Sequence, residues 1–273
     1  MSDYVVAVAD GIAQITLNRP RTGNALSAYI WNNLPKKISE LDKGGDIQAL
    51  VIQAEGPHFC TGMDLAEFKN GIPDPYSPAA RESFYPLARS LQETFSCLEK
   101  ARFPVFSAIQ GACLGAGLEL VAACDLRFAT KDTVFRLEEI NVGIMADVGA
   151  LQRLPKILPD AVMRRMAFLG TPLSAADALA HGFIVEVYED AASARAAALR
   201  AAETVRDKAP VAISGTKAAL RWARDHSVPD ALEWSARTQS ALWSTQDIQA
   251  AVNAKQTRSL ANYERLLEKG QIG

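Results

Sequence analysis

The sequence is poor in the residues that mark several large classes of protein. Its 273 residues include only four cysteines and three histidines. The cysteines are Cys60, Cys97, Cys113 and Cys124, and the histidines are His58, His181 and His226. Neither set has the spacing of a disulfide framework or of a zinc site. We therefore expect reduced, buried thiols and no bound metal ion.

The chain also lacks an excess of charge of either sign and any long apolar run. Lys and Arg number 29 against 31 Asp and Glu, so the formal net charge is -2. This balance provides no basic stripe for nucleic acid or for an anionic membrane surface. No apolar run approaches the ~20 residues of a membrane-spanning helix, and no targeting segment is recognisable before the first strand pattern. We expect no nucleic-acid or membrane partner and a cytoplasmic location.

What the sequence does contain is a repeated alternation of strand and helix patterns. An Asp-Gly turn separates two apolar runs at residues 4–9 and 12–17, which predicts a hairpin. Helical spacing of apolar residues follows over 24–41 and 82–99, with a short helix over 63–68 and a loop over 71–78. Further strands are predicted over 47–53, 104–109, 125–128, 134–135 and 184–187. Strand–loop–helix units imply an α/β fold with mostly parallel strands.

The pattern changes near residue 190, beyond which no strand is predicted. Helices are expected over 191–205, 211–225, 230–243 and 247–267, and Ser244 with Asp247 fits a capping box. This region carries three tryptophans, Trp222, Trp234 and Trp243. We divide the chain into a core with the functional site, 1–190, and a helical region, 191–273. That region serves either association between subunits or packing on its own domain.

The stretch from Ile109 to Leu154 holds the candidate chemistry. A strand runs into a turn with three glycines, and three acids follow among apolar residues. The acids are Glu119, Glu139 and Asp147. Buried acids cost desolvation free energy unless they are paired or used. The pattern therefore indicates proton transfer beside a backbone anion site.

Structural alternatives exist for each part of this stretch. The glycine turn could be a tight strand-to-helix connection without a ligand, although Ala116 between Gly115 and Gly117 suits close approach to a ligand. Glu139, next to Glu138, could be a surface residue, and Asp147 could cap a helix. The glycines lack dinucleotide-binding spacing, and there is no Walker loop or serine nucleophile elbow. We therefore expect no cofactor.

Two segments carry a resemblance to a known family. HFCTGMDLAEF at 58–68 and GACLGAGLELVAACDLRFA at 111–129 resemble the two anion-binding segments of the crotonase (enoyl-CoA hydratase/isomerase) superfamily. The resemblance implies a crotonase-like ββα spiral with a helical C-terminal region. It also implies homotrimers or homohexamers and an acyl-CoA thioester substrate, so that coenzyme A enters as part of the substrate.

Within this superfamily, EINVGIMADVGALQRLPKIL at 139–158 is similar to the Δ(3,5)-Δ(2,4)-dienoyl-CoA isomerases. The similarity extends over 208–228 and 245–252. It implies isomerisation of 3,5-dienoyl-CoA to 2,4-dienoyl-CoA in the β-oxidation of unsaturated fatty acids. The chain departs from these isomerases at two positions. At Glu119 the isomerases often have aspartate, whereas hydratases have glutamate. Asn141 stands where the isomerases have an acidic residue.

The resemblance also implies roles for individual residues. The backbone amides of Met63 and Ala116 would form the oxyanion hole. Glu139 would remove the alpha proton, Asp147 would deliver a proton to the distal carbon, and Glu119 would tune the charge of the pocket. Coenzyme A would contact Arg21, Thr22, Gly23, Asp64 and Leu65.

Three alternatives remain open at this point. An enoyl-CoA hydratase would use Glu119 and Glu139 to hold and activate water. A simpler enoyl-CoA isomerase would need one base. A non-catalytic acyl-CoA-binding relative would need none of the three acids, and an RNA-binding relative is disfavoured by the near-neutral charge.

Overall fold

The predicted N-terminal hairpin is confirmed in the computed structural model, which describes residues 2–68 and 76–270. Strand β1 (Tyr4–Ala9) pairs antiparallel with β2 (Ile12–Leu17). The two turn residues, Asp10 and Gly11, have positive φ values of 48° and 76°. Two-residue hairpin loops favour this left-handed conformation because it matches the twist of the strands.

Seven further strands complete two sheets. They are β3 (Ala49–Ala54), β4 (Val105–Ile109), β5 (Ala112–Leu114), β6 (Leu126–Thr130), β7 (Val134–Arg136), β8 (Leu173–Ser174) and β9 (Glu186–Tyr188). The larger sheet has the order β1-β2-β3-β4-β6-β9 and is parallel from β2 onward. In the smaller sheet β5 and β7 are parallel, and β8 is antiparallel to β7. The prediction of mostly parallel strands is confirmed.

Helices connect these strands and cover the sheets. They are α1 (Ala28–Gly44), α2 (Leu65–Phe68), α3 (Pro78–Lys100), α4 (Ala116–Ala122), α5 (Ala150–Arg153), α6 (Asp160–Leu169), α7 (Ala175–Ala180), α8 (Ala191–Arg206), α9 (Pro210–Asp225), α10 (Val228–Leu242) and α11 (Thr245–Thr257). Several begin at the serine or aspartate that the capping preference favours. The Ser27 side chain, for example, accepts a hydrogen bond from the Ile30 amide at the start of α1.

The core lies on both faces of the larger sheet. Leu50 and Ile52 of β3 belong to a large apolar cluster that includes α1 and α3, whereas Ala49 and Val51 pack in a second cluster with Ala198 of α8. Successive residues of a strand point to opposite faces. A strand segment covered on both sides must therefore be apolar at successive positions, which explains the apolar run Ala49–Ile52 in β3.

The helices of the C-terminal region differ in what they pack against. Helix α8 lies against the sheet, whereas α9 and α10 pack on each other, and the Trp222 and Trp234 rings stack with centroids 5.6 Å apart. Trp243 remains 64% exposed. The division of the chain at residue 190 stays a prediction. Within residues 2–68 and 76–270, no helix is both long and apolar enough to span a lipid bilayer.

Several sequence predictions of local structure need correction. The helix expected over 247–267 ends at Thr257, where Arg258 adopts a left-handed conformation with φ 55°. Ser244 does cap α11, but the Asp247 carboxylate accepts from the Glu264 amide at 3.1 Å and so holds the non-helical segment that follows. Strands β5 and β8 and helix α6 were not predicted. Most of the predicted loop over 71–78, residues 71–75, lies outside the described residues.

Candidate active site

Strand pairing brings the two halves of the predicted oxyanion hole together. The Cys60 amide donates to the Ala112 carbonyl at 3.1 Å, and the Leu114 amide donates to the Cys60 carbonyl at 2.9 Å. Cys60 is thereby a parallel bridge partner of Cys113. Met63 and Ala116 each follow these partners by three residues, so the parallel register places them side by side.

The backbone around Met63 explains which way its amide faces. The Leu26 amide donates to the Gly62 carbonyl at 2.8 Å, and the Asp64 amide donates to the Leu26 carbonyl at 3.0 Å. In an extended segment the amides alternate in direction, so the Met63 amide faces away from Leu26. A Cβ built on Gly62 would lie 3.8 Å from the Ala116 nitrogen. Between described residues, neither the Met63 nor the Ala116 amide donates a hydrogen bond.

Two glycines are required by the close approach at this turn. A Cβ on Gly117 would lie 2.7 Å from the Cβ of Cys60, which is closer than real contacts allow. Gly115 has φ 48°, and a Cβ there would lie 3.0 Å from Oε1 of Glu139. Glycine relieves both restrictions because it has no side chain. The turn therefore brings the Glu139 carboxylate next to Gly115, the residue before Ala116.

A cavity of about 470 Å3 opens beside this turn. Its walls are mostly apolar and include helix α3 and the segment after the Glu139 turn. The apolar side chains that line it are Met63, Leu65, Phe84, Leu87, Leu91, Val142, Ile144, Met145 and Val148. Glu119, Glu138, Glu139 and Asp147 supply its acidic positions. An apolar cavity with a few convergent polar groups is typical of a small-molecule site.

Glu119 is the most deeply buried of these acids. It is 1% exposed, and its Oε1 accepts a hydrogen bond from the Ala150 amide at 3.1 Å. Burial raises the pKa of Glu119 to about 8, with further upward contributions from the charges of Glu139 and Asp147. This raised pKa favours the protonated form of Glu119 at neutral pH.

The structure separates Glu139 from its neighbour Glu138. Glu138 is half-buried and forms an ion pair with Arg136, and it accepts a hydrogen bond from Asn141 Nδ2 at 2.9 Å. Glu139 is 9% exposed, and it accepts a hydrogen bond from the Glu138 amide at 2.9 Å. Burial raises the pKa of Glu139 by more than this hydrogen bond lowers it, so the pKa lies above its ordinary value. The alternative that Glu139 is a surface residue is therefore wrong. Asn141, which is exposed, binds Glu138 and not Glu139.

Asp147 lies in the same cavity as the two buried glutamates. It is half-buried, and its charge raises the pKa of both Glu119 and Glu139, which shows that the three carboxyl groups interact. Helix α5 begins after Gly149 without a side-chain cap, so the alternative role of Asp147 as a helix cap is wrong. The Asp147 carbonyl accepts from Gln92 Nε2 at 2.9 Å, which fixes the turn against α3.

The predicted coenzyme A segments also lie next to each other. The turn Pro20–Thr22 ends at Gly23, whose carbonyl accepts from the Thr61 amide at 3.0 Å. Arg21 and Thr22 are exposed there, as is Leu65, which is also part of the cavity wall. The carboxylate of Asp64 instead pairs with Arg19 at 2.8 Å. The Asp64 carboxylate is thus engaged by Arg19 and by the Ala66 amide, and the Asp64 amide by the Leu26 carbonyl.

Sequence reasoning missed the parts of the site that come from other elements. The Ala150 amide, Gln92 and Arg153 hold the Asp147 turn, and Phe84, Leu87 and Leu91 wall the cavity from α3. The three α3 residues are spaced so that they lie on one face of the helix, and this spacing is visible in the sequence. The sequence does not show what that face packs against. The described residues hold no group of three or more His, Cys, Asp or Glu side chains placed to bind a metal ion.

Comparison with known proteins matches this geometry. The profile of the enoyl-CoA hydratase/isomerase family matches residues 7–265. The mitochondrial Δ(3,5)-Δ(2,4)-dienoyl-CoA isomerase of Mus musculus is 34% identical over 267 residues, which cover 95% of this chain and 82% of that protein. The peroxisomal Δ(3,5)-Δ(2,4)-dienoyl-CoA isomerase of Arabidopsis thaliana is 32% identical over 259 residues and 93% of each chain.

A solved structure extends the comparison to the fold. A protein from Streptomyces coelicolor A3(2), provisionally named an enoyl-CoA hydratase, superposes with a TM-score of 0.88 at 29% identity, covering 96% of this chain and 94% of that one. The chain therefore belongs to the enoyl-CoA hydratase/isomerase family and is an enzyme of that family. Its similarity to the dienoyl-CoA isomerases supports an isomerase activity.

The comparison also corrects the expected location. The two dienoyl-CoA isomerases carry mitochondrial and peroxisomal locations in their names. The prediction of a cytoplasmic location is wrong by this comparison. It used the lack of a recognisable targeting segment at one end of the sequence, and such a lack does not report where relatives act.

Proposed function

We propose that the protein isomerises 3,5-dienoyl-CoA to 2,4-dienoyl-CoA, with Glu139 and Asp147 as the two acids. The observation that carries this proposal is the position of Asp147 in one apolar cavity with Glu139 and the Met63–Ala116 amide pair. A reaction that moves a proton between two ends of a conjugated chain needs an acid at each end. A hydratase has no such need for an acid at the Asp147 position.

The first step is removal of the alpha proton by the Glu139 carboxylate. The electron pair of the broken C–H bond moves toward the thioester oxygen and forms an enolate conjugated with both double bonds, a trienolate. The Met63 and Ala116 amides donate to this oxygen, and one such donor contributes ~3 kcal/mol to the transition state. Burial raises the pKa of Glu139, which makes it a stronger base for a weakly acidic C–H bond.

The second step is transfer of a proton from the Asp147 carboxyl group to the distal carbon, which requires that this carboxyl carry a proton at that point of the cycle. The trienolate electrons return through the conjugated system, a C–H bond forms at the far end, and the double bonds come to rest at positions 2 and 4. Glu139 has gained one proton and Asp147 has lost one. Exchange of both groups with solvent restores the starting state, so no oxidant, reductant or cofactor is consumed.

The protonation state of Glu119 favours isomerisation over hydration. A hydratase that activates water through Glu119 and Glu139 needs a carboxylate that can accept a proton from water. Burial raises the pKa of Glu119 to about 8, which favours its protonated form and makes it a poor acceptor of a proton from water. In the proposed reaction, a protonated Glu119 adds no second negative charge beside the trienolate.

The alternative function is hydration of a 2-enoyl-CoA. The observation that favours it is the presence of Glu119 and Glu139 in the same cavity, where their charges interact. A non-catalytic acyl-CoA-binding role has less support, because three buried or half-buried acids would cost desolvation free energy without use. The substrate contacts at Arg21, Thr22 and Gly23 and assembly into trimers or hexamers remain parts of the proposal.

The replacement Asp147→Asn tests the proposal most sharply at one residue. Asparagine keeps the size and the hydrogen-bonding capacity of the side chain but cannot exchange a proton. We expect kcat for diene isomerisation to fall ~10²–10⁴-fold, whereas binding of a saturated acyl-CoA stays unchanged. Exchange of the alpha proton with D2O, followed by NMR, should persist because Glu139 is intact.

The matched control is Asp160→Asn, at an exposed aspartate that pairs with Arg164 on α6. This variant should isomerise dienes at the wild-type rate. Unchanged diene turnover in Asp147→Asn would remove Asp147 from the reaction. Loss of alpha-proton exchange together with turnover would instead make Asp147, rather than Glu139, the base.

A further inference from the structure

The side chain of Arg153 packs against the turn that carries Asp147. The guanidinium is 8% exposed, and its Nη1 donates to the Val148 carbonyl at 3.4 Å. It also occupies the space over Gly149, where a Cβ would lie 1.7 Å from Nη1. With the guanidinium in this place, position 149 must be glycine. The turn and the guanidinium form one packed unit.

The guanidinium is held in place by helix α3. Glu99 Oε2 accepts from Arg153 Nε at 2.9 Å and from Nη2 at 2.7 Å, and Ser96 Oγ accepts from Nη2 at 3.0 Å. Burial raises the pKa of Glu99, but hydrogen bonds and charges from Arg153 and Arg224 lower it by more. The pKa of Glu99 therefore lies below its ordinary value. Glu99 is therefore ionised and provides a fixed anchor.

Arg153 also acts on the acids in the cavity. Ala150, in the same turn, donates its amide to Glu119 at 3.1 Å. Burial and the charges of Glu139 and Asp147 raise the pKa of Glu119. The Ala150 hydrogen bond and the positive charge of Arg153 lower it. Arg153 thus contacts the backbone that presents Asp147 and opposes the charge of the carboxyl groups around it.

We propose that Arg153 is a positioning residue that holds the 147–150 turn, and with it the Asp147 carboxyl and the Ala150 amide, in place for proton transfer. The role of Asp147 in this inference rests on the proposed function. Arginine is suited to the task because its planar fork can donate to Glu99, Ser96 and a carbonyl at the same time. A lysine at this position would keep the charge but lose that geometry.

The experiment compares Arg153→Gln and Arg153→Lys with the control Arg224→Gln. Arg224 pairs with the other oxygen of the same Glu99, and among the described residues it makes no hydrogen bond to the 147–150 turn. We expect both Arg153→Gln and Arg224→Gln to lower the Tm, and Arg153→Gln to lower it more because Arg153 is more deeply buried. Only the Arg153 variants should lose kcat, by ~10²-fold, because a small misplacement of a reacting group has this effect. KM should stay unchanged.

A second readout does not depend on turnover. In the ligand-free protein, 13C NMR follows the titration of the Glu119 carboxyl, assigned by its loss in Glu119→Gln. Arg153→Gln should move this titration to higher pH, whereas Arg153→Lys and Arg224→Gln should leave it in place. Equal losses of kcat in all three variants, or an unmoved titration in Arg153→Gln, would overturn the inference.

The kinetics use both a 3,5-dienoyl-CoA and a 2-enoyl-CoA. A wild-type enzyme that only hydrates the enoyl thioester would overturn the proposed function. In that case a selective loss of hydration in the Arg153 variants, together with the titration shift, would still support Arg153 as the residue that positions the turn. Retention of hydration in those variants would overturn both.

Discussion

At the scale of single residues, the site depends on which acids are removed from water. Glu138 and Glu139 are adjacent and chemically identical, so composition and spacing cannot rank them. The structure distinguishes them because Arg136 and Asn141 bind Glu138, whereas Glu139 turns into the cavity beside Gly115. Their difference arises from tertiary contacts that no local pattern encodes.

The buried carboxyl of Glu119 makes the stability of the fold depend on pH. Its pKa is about 8 in the folded protein and lies near the ordinary 4.5 when the chain unfolds. Between these values the folded state holds a proton that the unfolded state has released. The free energy of unfolding therefore falls as the pH rises through this window, by up to about 1.4 kcal/mol per pH unit.

Glu119→Gln removes this proton-linked term while keeping the shape of the side chain. We expect the variant to gain stability relative to wild type as the pH rises from about 4.5 to about 8, the two pKa values that bound the window. Urea unfolding at a series of pH values measures the difference. Glu233→Gln, at an exposed glutamate of α10, should follow the wild-type curve. Parallel curves for Glu119→Gln and wild type would contradict a buried, proton-binding Glu119.

At the scale of elements, the proposed oxyanion site is a consequence of strand pairing. The bridge between Cys60 and Cys113 sets the register that brings the Met63 and Ala116 amides side by side. The sequence did predict both segments, because their glycines and the resemblance of each motif are local signals. It did not predict β5, whose three residues are too short for an apolar period to be recognised.

Helix ends, like strands, are predictable from the sequence only where a local signal marks them. The Ser244 cap was predictable because capping is local, and the structure confirms it. The end of α11 at Thr257 was not, because apolar spacing continues to Leu267 while the chain is held by the Asp247–Glu264 hydrogen bond. Such a contact between distant residues overrides a helical pattern.

Gly115→Ala tests the turn that forms the oxyanion site. A methyl group there would lie 3.0 Å from the Glu139 carboxylate and would force a non-glycine residue to φ 48°. We expect kcat to fall ~10²–10³-fold because the Ala116 amide and Glu139 are both displaced. Steady-state kinetics with a dienoyl-CoA measures the change.

The control for this prediction is Gly182→Ala. Gly182 has a comparable φ of 73°, but a Cβ there would meet nothing within 4 Å. The backbone strain should destabilise this variant by about 1–2 kcal/mol without altering kcat. If both alanine variants retained full activity, the close approach at Gly115 would have no part in catalysis.

At the scale of the whole molecule, the helical C-terminal region is fastened to the core from within. Lys217 of α9 is 8% exposed, and its Nζ donates to the Leu98 and Phe103 carbonyls at 2.7 and 2.9 Å and pairs with Asp125 at 2.7 Å. Glu99 likewise joins α3 to α9 through Arg224 and to the Asp147 turn through Arg153. The helical region is therefore connected to the active site through ion pairs as well as through apolar packing.

The fold class was predictable because alternating strand and helix patterns repeat along most of the chain, and because family resemblance covers nearly all of it. The arrangement of Glu119, Glu139 and Asp147 around one cavity was predicted only through that resemblance. Their separate positions on α4, after β7 and before α5 are joined by tertiary structure alone.

The most direct test of the central claim follows the purified wild-type enzyme with two substrates in parallel. A 3,5-dienoyl-CoA reports isomerisation through the absorbance of a diene conjugated with the thioester carbonyl. A 2-enoyl-CoA reports hydration through loss of the enoyl absorbance. We expect efficient conversion of the dienoyl thioester and a much lower kcat/KM for hydration. Rapid hydration of the enoyl thioester with no diene conversion would contradict the account.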